Sequence, residues 1–363
     1  MDIRDLLKLL VDTGASDLHL NAPGPPVLRM NGDLVPQNHQ VDALTSQDIT
    51  QAFIDITTEE QRNQFVRELE LDFAIGVTGI GRFRVNASMQ RGTMSLSIRV
   101  VRTTIPSIDE LMLPQVCKTL ALKDRGLVLV TGPAGSGKST TLAAMIEYLN
   151  GMRQRRVITI EDPIEFVHQN RECFISQREV GTDTKSFANA LRHALRQDPD
   201  VILVGEMRDL ETVAIVLTAA ETGHLVLATL HTPSAPQAID RIIDVFPPHQ
   251  QPQARTQLST TLEGVIYQTL MPRADGTGRI VATEVMIAND AIRNLIREGK
   301  APQMVSVMQT GSKFEMQTLD QSLIDLYRRG LISLDDAISR SRDSDVLKKT
   351  LGRLEPYLVP AGF

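Results

Sequence analysis

The densest chemistry in the chain lies in eight consecutive residues, Gly132-Pro133-Ala134-Gly135-Ser136-Gly137-Lys138-Ser139, followed by Thr140. They match G-x-x-x-x-G-K-[ST], in which glycines let the backbone wrap with its N–H groups turned inward on phosphate oxygens. The lysine of such a loop can reach the β- and γ-phosphates of a nucleotide, and the hydroxyl after it, here Ser139, can ligate Mg2+. The loop works only between a strand and a helix. Residues 127–131 have strand character, and the helical run after Lys138 closes at Asn150-Gly151. The opening of that helix adds its positive end to the same spot. Binding of a nucleoside triphosphate follows.

Two carboxylates and an imidazole stand at the ends of apolar runs farther along. Residues 157–160 lead to Glu161, 201–204 lead through Gly205 to Glu206, and 225–229 lead through Leu230 to His231. From Leu113 onward strand and helix patterns alternate, which predicts a parallel sheet. Open parallel sheets bind ligands at the carboxyl ends of their strands. Glu206 is then the Walker B candidate, holding Mg2+ through water, and Glu161 is a candidate to polarise an attacking water. His231 is a candidate γ-phosphate contact, whereas His224, before its strand, reads as structural.

The elements that position these groups fall into two parts. An amphipathic helix is predicted over 2–13, short strands over 16–20 and 27–30, and a hairpin turn at Asn31-Gly32. Two helices fit 45–69. Residues 72–77, 82–90 and 93–101 read as a three-stranded meander. In it Phe83 and Val85 share one face, while Arg84, and Arg99 on the next strand, share the other. A solvated charged face and a pair of phosphate clamps both fit these arginines. Residues 1–101 form an α+β domain without a phosphate loop, 102–112 a linker, and 113–363 the second domain. Within the latter, a helix is expected over 186–197. Residues 234–300 read as helices with a short strand pair near Leu270 and 279–286. Helices at 318–329 and 333–341 follow, and the last twenty residues, with Pro356 and Pro360, read as a loosely held tail.

Composition narrows the function. The chain has 363 residues, a net charge of −6, 4% aromatic residues and no Trp. Broad nucleic-acid binding is not expected, for want of both a basic surface and stacking groups. The two cysteines, Cys117 and Cys173, are far apart and cannot supply a four-ligand zinc site. No apolar run is long enough to cross a membrane, and the charged start is not a secretion signal.

These segments resemble the secretion ATPases, and within them the type IV pilus retraction, or twitching motility, ATPases. Ile158-Thr-Ile-Glu-Asp-Pro-Ile-Glu165 is similar to the family's aspartate box. Asp198-Pro-Asp-Val-Ile-Leu-Val-Gly-Glu-Met-Arg-Asp209 is similar to its Walker B segment, and 222–232 to its histidine box. Ala291-Ile-Arg-Asn-Leu-Ile-Arg-Glu298 is similar to a segment typical of retraction ATPases. Pro233 departs from the asparagine common at that place and has neither an amide side chain nor an N–H.

The resemblance implies a PAS-like first domain, a RecA-like second domain and a ring of six subunits that hydrolyses ATP with Mg2+. It implies that Arg84 and Arg99 are sent to the nucleotide from the first domain. It also implies a cytoplasmic protein, peripheral at the inner face of the cytoplasmic membrane, working on an inner-membrane pilus platform protein beside a paralogous pilus ATPase. The alternatives are a pilus-assembly or type II secretion motor, a nucleotide-gated regulatory module, and a nucleic-acid translocase. The family's assembly-type members usually carry a long extra N-terminal region and a four-cysteine zinc insert, neither of which is expected here.

Overall fold

The computed structural model describes residues 2–30, 32–37, 43–101 and 103–352. They form two compact units, the first running to Thr103 and the second starting at Thr104.

The first unit opens with α1 (Ile3–Asp12), capped by the Asp2 side chain on Arg4 N, with Ile3, Leu6, Leu7 and Leu10 buried. β1 (Asp17–Asn21), β2 (Val27–Met30) and β3 (Asp33–Pro36) follow. Met30 pairs with Asp33 across a tight hairpin, where Gly32 takes φ +98°; Asn31 of the expected turn lies outside the described residues. α2 (Ser46–Ile56) and α3 (Glu59–Glu68) each begin with a capping box, Thr45 with Asp48 and Thr58 with Gln61, which satisfies two orphan N–H groups apiece. β4 (Glu70–Val77), β5 (Gly81–Gln90) and β6 (Thr93–Val100) form the meander. One antiparallel sheet, ordered β3-β2-β1-β6-β5-β4, results. This is the PAS-like α+β domain.

The second unit is built on a seven-stranded sheet. Its elements begin with α4 (Val116–Ala121), β7 (Gly126–Thr131), α5 (Lys138–Asn150), β8 (Arg156–Glu161) and β9 (Phe174–Glu179). α6 (Phe187–Ala194), β10 (Val201–Val204), α7 (Leu210–Glu221), β11 (Leu225–Leu230) and α8 (Ala235–Asp244) come next. Then follow α9 (Gln251–Thr261), β12 (Leu262–Pro272), β13 (Arg279–Ile287), α10 (Asp290–Glu298) and α11 (Ala301–Gln309). α12 (Leu319–Arg328), α13 (Leu334–Arg340) and α14 (Ser344–Gly352) complete it. The order β13-β12-β7-β11-β10-β8-β9 is parallel throughout except for the β12–β13 pair. All six residues of β7 are buried. Leu127 and Leu129 join one core layer, and Val128 and Val130 the other. A strand covered on both faces reads as an unbroken apolar run, and such a sheet is the RecA-like ATPase domain.

Four expectations are corrected. The strand pair is not short: β12 has 11 residues and β13 has 9. β12 escapes a periodicity search because α9 runs straight into it, Leu262 serving as both helix cap and first strand residue. No glycine or proline marks the change. Instead Arg293 of α10 donates to the carbonyls of Ser259 (2.8 Å) and Thr260 (2.9 Å), closing the helix end. β9 was not expected at all, because its Ser176, Gln177 and Arg178 are polar on a sheet edge. α6 stops at Ala194 rather than 197, the next residues tightening into i→i−3 bonds. The last twenty residues are not simply a tail. α14 is helical through 352, with Leu347 and Leu351 buried; Pro356 and Pro360 lie outside the described residues.

Candidate phosphate-loop site

The loop between β7 and α5 is shaped by three glycines in the left-handed half of backbone space, Gly132 (φ +142°), Gly135 (+72°) and Gly137 (+87°). Two of them are also needed for space. A Cβ on Gly132 would collide with the Gln268 carbonyl oxygen and lie 2.8 Å from Ser136 Oγ, and one on Gly137 would lie 3.2 Å from Gln268 Nε2. Pro133, Ala134 and Gly135 are exposed and Ser136 is buried; Ser139 and Thr140 are half-buried at the start of α5. No side chain caps α5 and no acid stands in its first turn, so its positive end is left for an anion. Lys138 is buried, and its Nζ donates to the carbonyls of Gly132 (3.0 Å) and Pro133 (2.8 Å).

Beneath the loop lies a residue that no motif marks. Gln268, on β12, is 1% exposed. Its Nε2 donates to Ser136 O (2.6 Å) and its Oε1 accepts from Thr141 Oγ1 (2.8 Å). One amide thereby ties the loop to the first turn of α5.

The strand ends bring the expected acids and imidazole to one edge of the sheet. Glu161 ends β8, and its Oε1 accepts from Thr159 Oγ1 (2.7 Å) and from Gln177 Nε2 (3.1 Å) of β9. Gly205 follows β10 and donates to Ile160 O (2.7 Å). A Cβ there would lie 3.2 Å from both Glu161 Cα and Ile160 O, so only glycine lets the two strand exits approach. The Thr229 hydroxyl donates to the Gly205 carbonyl from β11.

Glu206 comes next. Its Oε2 accepts from Arg208 Nη2 (2.6 Å), and its Oε1 lies 3.4 Å from His231 Nε2. His231 Nδ1 lies 3.4 Å from Lys138 Nζ. An ammonium can only donate, so Nδ1 accepts and Nε2–H points at Glu206. Lys138, His231 and Glu206 thus form one polar chain from loop to strand end. Burial alone would raise the Glu206 carboxyl. The Arg208 hydrogen bond and the charges of His231, Arg208 and Lys138 outweigh it and hold the group below its ordinary value. His224, by contrast, sits before β11 with Nδ1 3.0 Å from Ala219 O, as a structural histidine would.

Within the first unit Arg84 and Arg99 are direct cross-strand partners on β5 and β6, so both side chains leave the same face, opposite buried Phe83 and Val85. Arg99 Nε donates to Asp17 Oδ1 on β1 (2.6 Å), and Ser16 Oγ donates to Asp17 Oδ2 (2.7 Å). Burial pushes the Asp17 carboxyl up, but these two bonds and the nearby charges of Arg99 and His19 carry it below its ordinary value.

Sequence reasoning missed Gln268, Gln177 and Asp17. Each acts on a residue far along the chain, and a buried glutamine on an apolar strand was the available signal for the first. Among the described residues no three His, Cys, Asp or Glu side chains gather as a metal cage. A cation here would be held between Ser139, Glu206 and the phosphates themselves, as Mg2+ is when it keeps most of its waters.

A parallel sheet with a phosphate loop at a central strand and acids at neighbouring strand ends defines the P-loop nucleoside-triphosphatase class. Comparison with known proteins narrows this. The family described as type II/IV secretion system protein matches residues 82–277. The chain is 50% identical to the type IV pilus retraction ATPase PilT of Pseudomonas aeruginosa, over 94% of this chain and 98% of that one. It is 48% identical to the twitching motility protein of Neisseria gonorrhoeae, over 88% and 85% respectively. A crystal structure of the pilus retraction motor PilT with bound ADP superposes with a TM-score of 0.89 at 47% identity, covering 96% of this chain and 99% of that one. The chain belongs to the type II/IV secretion system protein family.

Proposed function

We propose that this chain is the ATP-hydrolysing motor of type IV pilus retraction, the activity that underlies twitching motility. The observation that carries the reading is the Lys138–His231–Glu206 chain at the mouth of a glycine cradle, in a protein half identical, over nearly its whole length, to a retraction ATPase.

The loop backbone from Gly132 to Thr140 wraps the β- and γ-phosphates, and Lys138 exchanges its two carbonyl partners for phosphate oxygens. Mg2+, held by Ser139 and through water by Glu206, supplies charge neutralisation at those phosphates. Glu161 orients the attacking water, with Thr159 and Gln177 fixing its carboxylate. His231 contacts the γ-phosphate. Arg84 and Arg99 act as arginine fingers that stabilise the charge spread over the transferred group.

The domains comprise residues 1–101 and 113–363 with 102–112 as linker. Six copies form a ring, so the site closes when arginines of a first domain meet nucleotide on a second. The described residues contain no helix long and apolar enough to cross a membrane. A cytoplasmic ring docked on an inner-membrane platform protein, beside a paralogous pilus ATPase, fits that finding.

The direction of work is tested by counting surface pili in cells whose copy carries Lys138→Ala. Extra pili with lost twitching are expected. Bald cells would instead mean an assembly motor, and unchanged piliation another secretion system.

A further inference from the structure

The turn after His231 is held from the side away from the phosphate loop. Residues 232–234 join β11 to α8. Ser234 caps α8 by accepting from Gln237 N. At the first residue of that helix, Ala235 N donates to Glu284 Oε1 (2.7 Å). Glu284 stands on β13 directly across from Tyr267 of β12, with its side chain 4% exposed. A buried carboxylate needs a partner, and it has one in Arg342, whose Nε donates to Glu284 Oε2 (3.2 Å). Arg342 Nη2 then donates to the Pro233 carbonyl (2.8 Å), and the guanidinium lies over the Tyr267 ring, 5.5 Å from its centroid.

Arg342 belongs to the three-residue connection between α13 and α14. That connection is itself tied to α12, since Arg342 N and Asp343 N donate to the two carboxylate oxygens of Asp320 (2.8 and 3.3 Å). One planar guanidinium therefore joins the last helices to a backbone oxygen two residues past His231. The proline at 233 costs this contact nothing, because the contact uses the carbonyl and not the missing N–H.

We infer that Arg342 is a positioning residue for His231, a clasp through which the C-terminal helices set the turn that spans Lys138 and Glu206. Released, the turn keeps only the Ala235–Glu284 bond and the cap. His231 can then drift from its 3.4 Å contacts on both sides. Nucleotide binding resides in the loop and is left alone. Displacement of α12–α14 by a partner would thus slow hydrolysis without releasing nucleotide. The inference rests on the reading of His231 as a γ-phosphate contact.

The test is steady-state ATP hydrolysis by the full-length assembled protein, with fluorescent ADP titration alongside, for Arg342→Ala, Arg342→Lys, His231→Ala and the His231→Ala/Arg342→Ala pair. Arg342→Ala is expected to lower kcat by about ten- to a hundredfold, the scale of an ångström-size misplacement, with KM and ADP affinity unchanged. Arg342→Lys should recover only part of kcat. Its single ammonium neutralises Glu284 but lacks the fork that also reaches Pro233. Since both changes act through one imidazole, the double variant should be no slower than His231→Ala. Wild-type kcat in Arg342→Ala beside a slow His231→Ala would overturn the clasp and leave the site reading standing. Wild-type kcat in His231→Ala would remove that reading and the clasp with it. If Arg342→Ala is recovered unfolded, Arg342→Lys decides: full wild-type kcat there overturns the clasp.

Discussion

Replacing Gln268 by leucine asks whether the phosphate loop is held from below. Leucine fills nearly the same space, so packing loss is small, but both hydrogen bonds go. The Ser136 carbonyl loses its 2.6 Å donor and the Thr141 hydroxyl its 2.8 Å acceptor, both in buried surroundings. Stranding one buried polar group costs about 1–3 kcal/mol. The Thr141 hydroxyl can turn back to the Gly137 carbonyl one helical turn earlier, so the loss concentrates on Ser136. One stranded group is therefore the expected penalty on the wrapped loop. If the penalty falls on the nucleotide-binding conformation, affinity weakens by roughly fivefold to 150-fold.

The assay is equilibrium titration of the full-length protein with a fluorescent ADP analogue in Mg2+, run beside thermal unfolding. Gln268→Glu is the companion variant. It keeps an acceptor for Thr141 but sets a carboxylate oxygen against the Ser136 carbonyl, and should bind at least as weakly. Wild-type affinity in both variants, whatever happens to the melting temperature, would refute the reasoning and leave Gln268 a core residue.

Two further outcomes are expected. Glu206→Gln should spare nucleotide binding and lower kcat by about a hundredfold or more, as measured by ADP titration beside phosphate release. Arg84→Ala and Arg99→Ala should each slow hydrolysis by about a thousandfold, and Asp17→Asn by less, since it frees Arg99 without removing it. Because the folded Asp17 carboxyl sits below its ordinary value, its stabilising contribution is present above the unfolded carboxylate value and is lost as pH falls through the folded one. Acid unfolding of wild type against Asp17→Asn reads this directly, and superimposable curves would count against the Asp17–Arg99 bond.

What was legible in the sequence was local. The phosphate loop is one unbroken segment whose glycines each answer a backbone demand. Glu161 and Glu206 follow apolar runs that could only be buried strands, and His231 follows a third. The pairing of Arg84 with Arg99 needed only alternation and a turn at Arg91-Gly92. What escaped depends on partners far along the chain. Gln268 reads as a polar flaw in β12, and it becomes meaningful only once β12 is known to lie beside β7. Gln177 sits on an edge strand with no apolar signature, and Arg342 lies in a stretch that resembled a tail. Strand β12 itself was hidden because its punctuation is a side chain from α10 rather than a residue at the boundary.

The Gln268 bonds span 132 and 127 residues of sequence, and this has a consequence for how the domain is made. A chain leaving the ribosome displays every recognisable motif, from Gly132 to His231, before β12 has been synthesised. Until that strand docks against β7, the Ser136 carbonyl lacks its donor, and the cradle consists of glycines with nothing beneath them. Closing so long a loop is an entropic cost met late in folding. Nascent or truncated chains thus carry the full nucleotide signature while binding nucleotide poorly, so the cell is spared half-made subunits that compete for ATP.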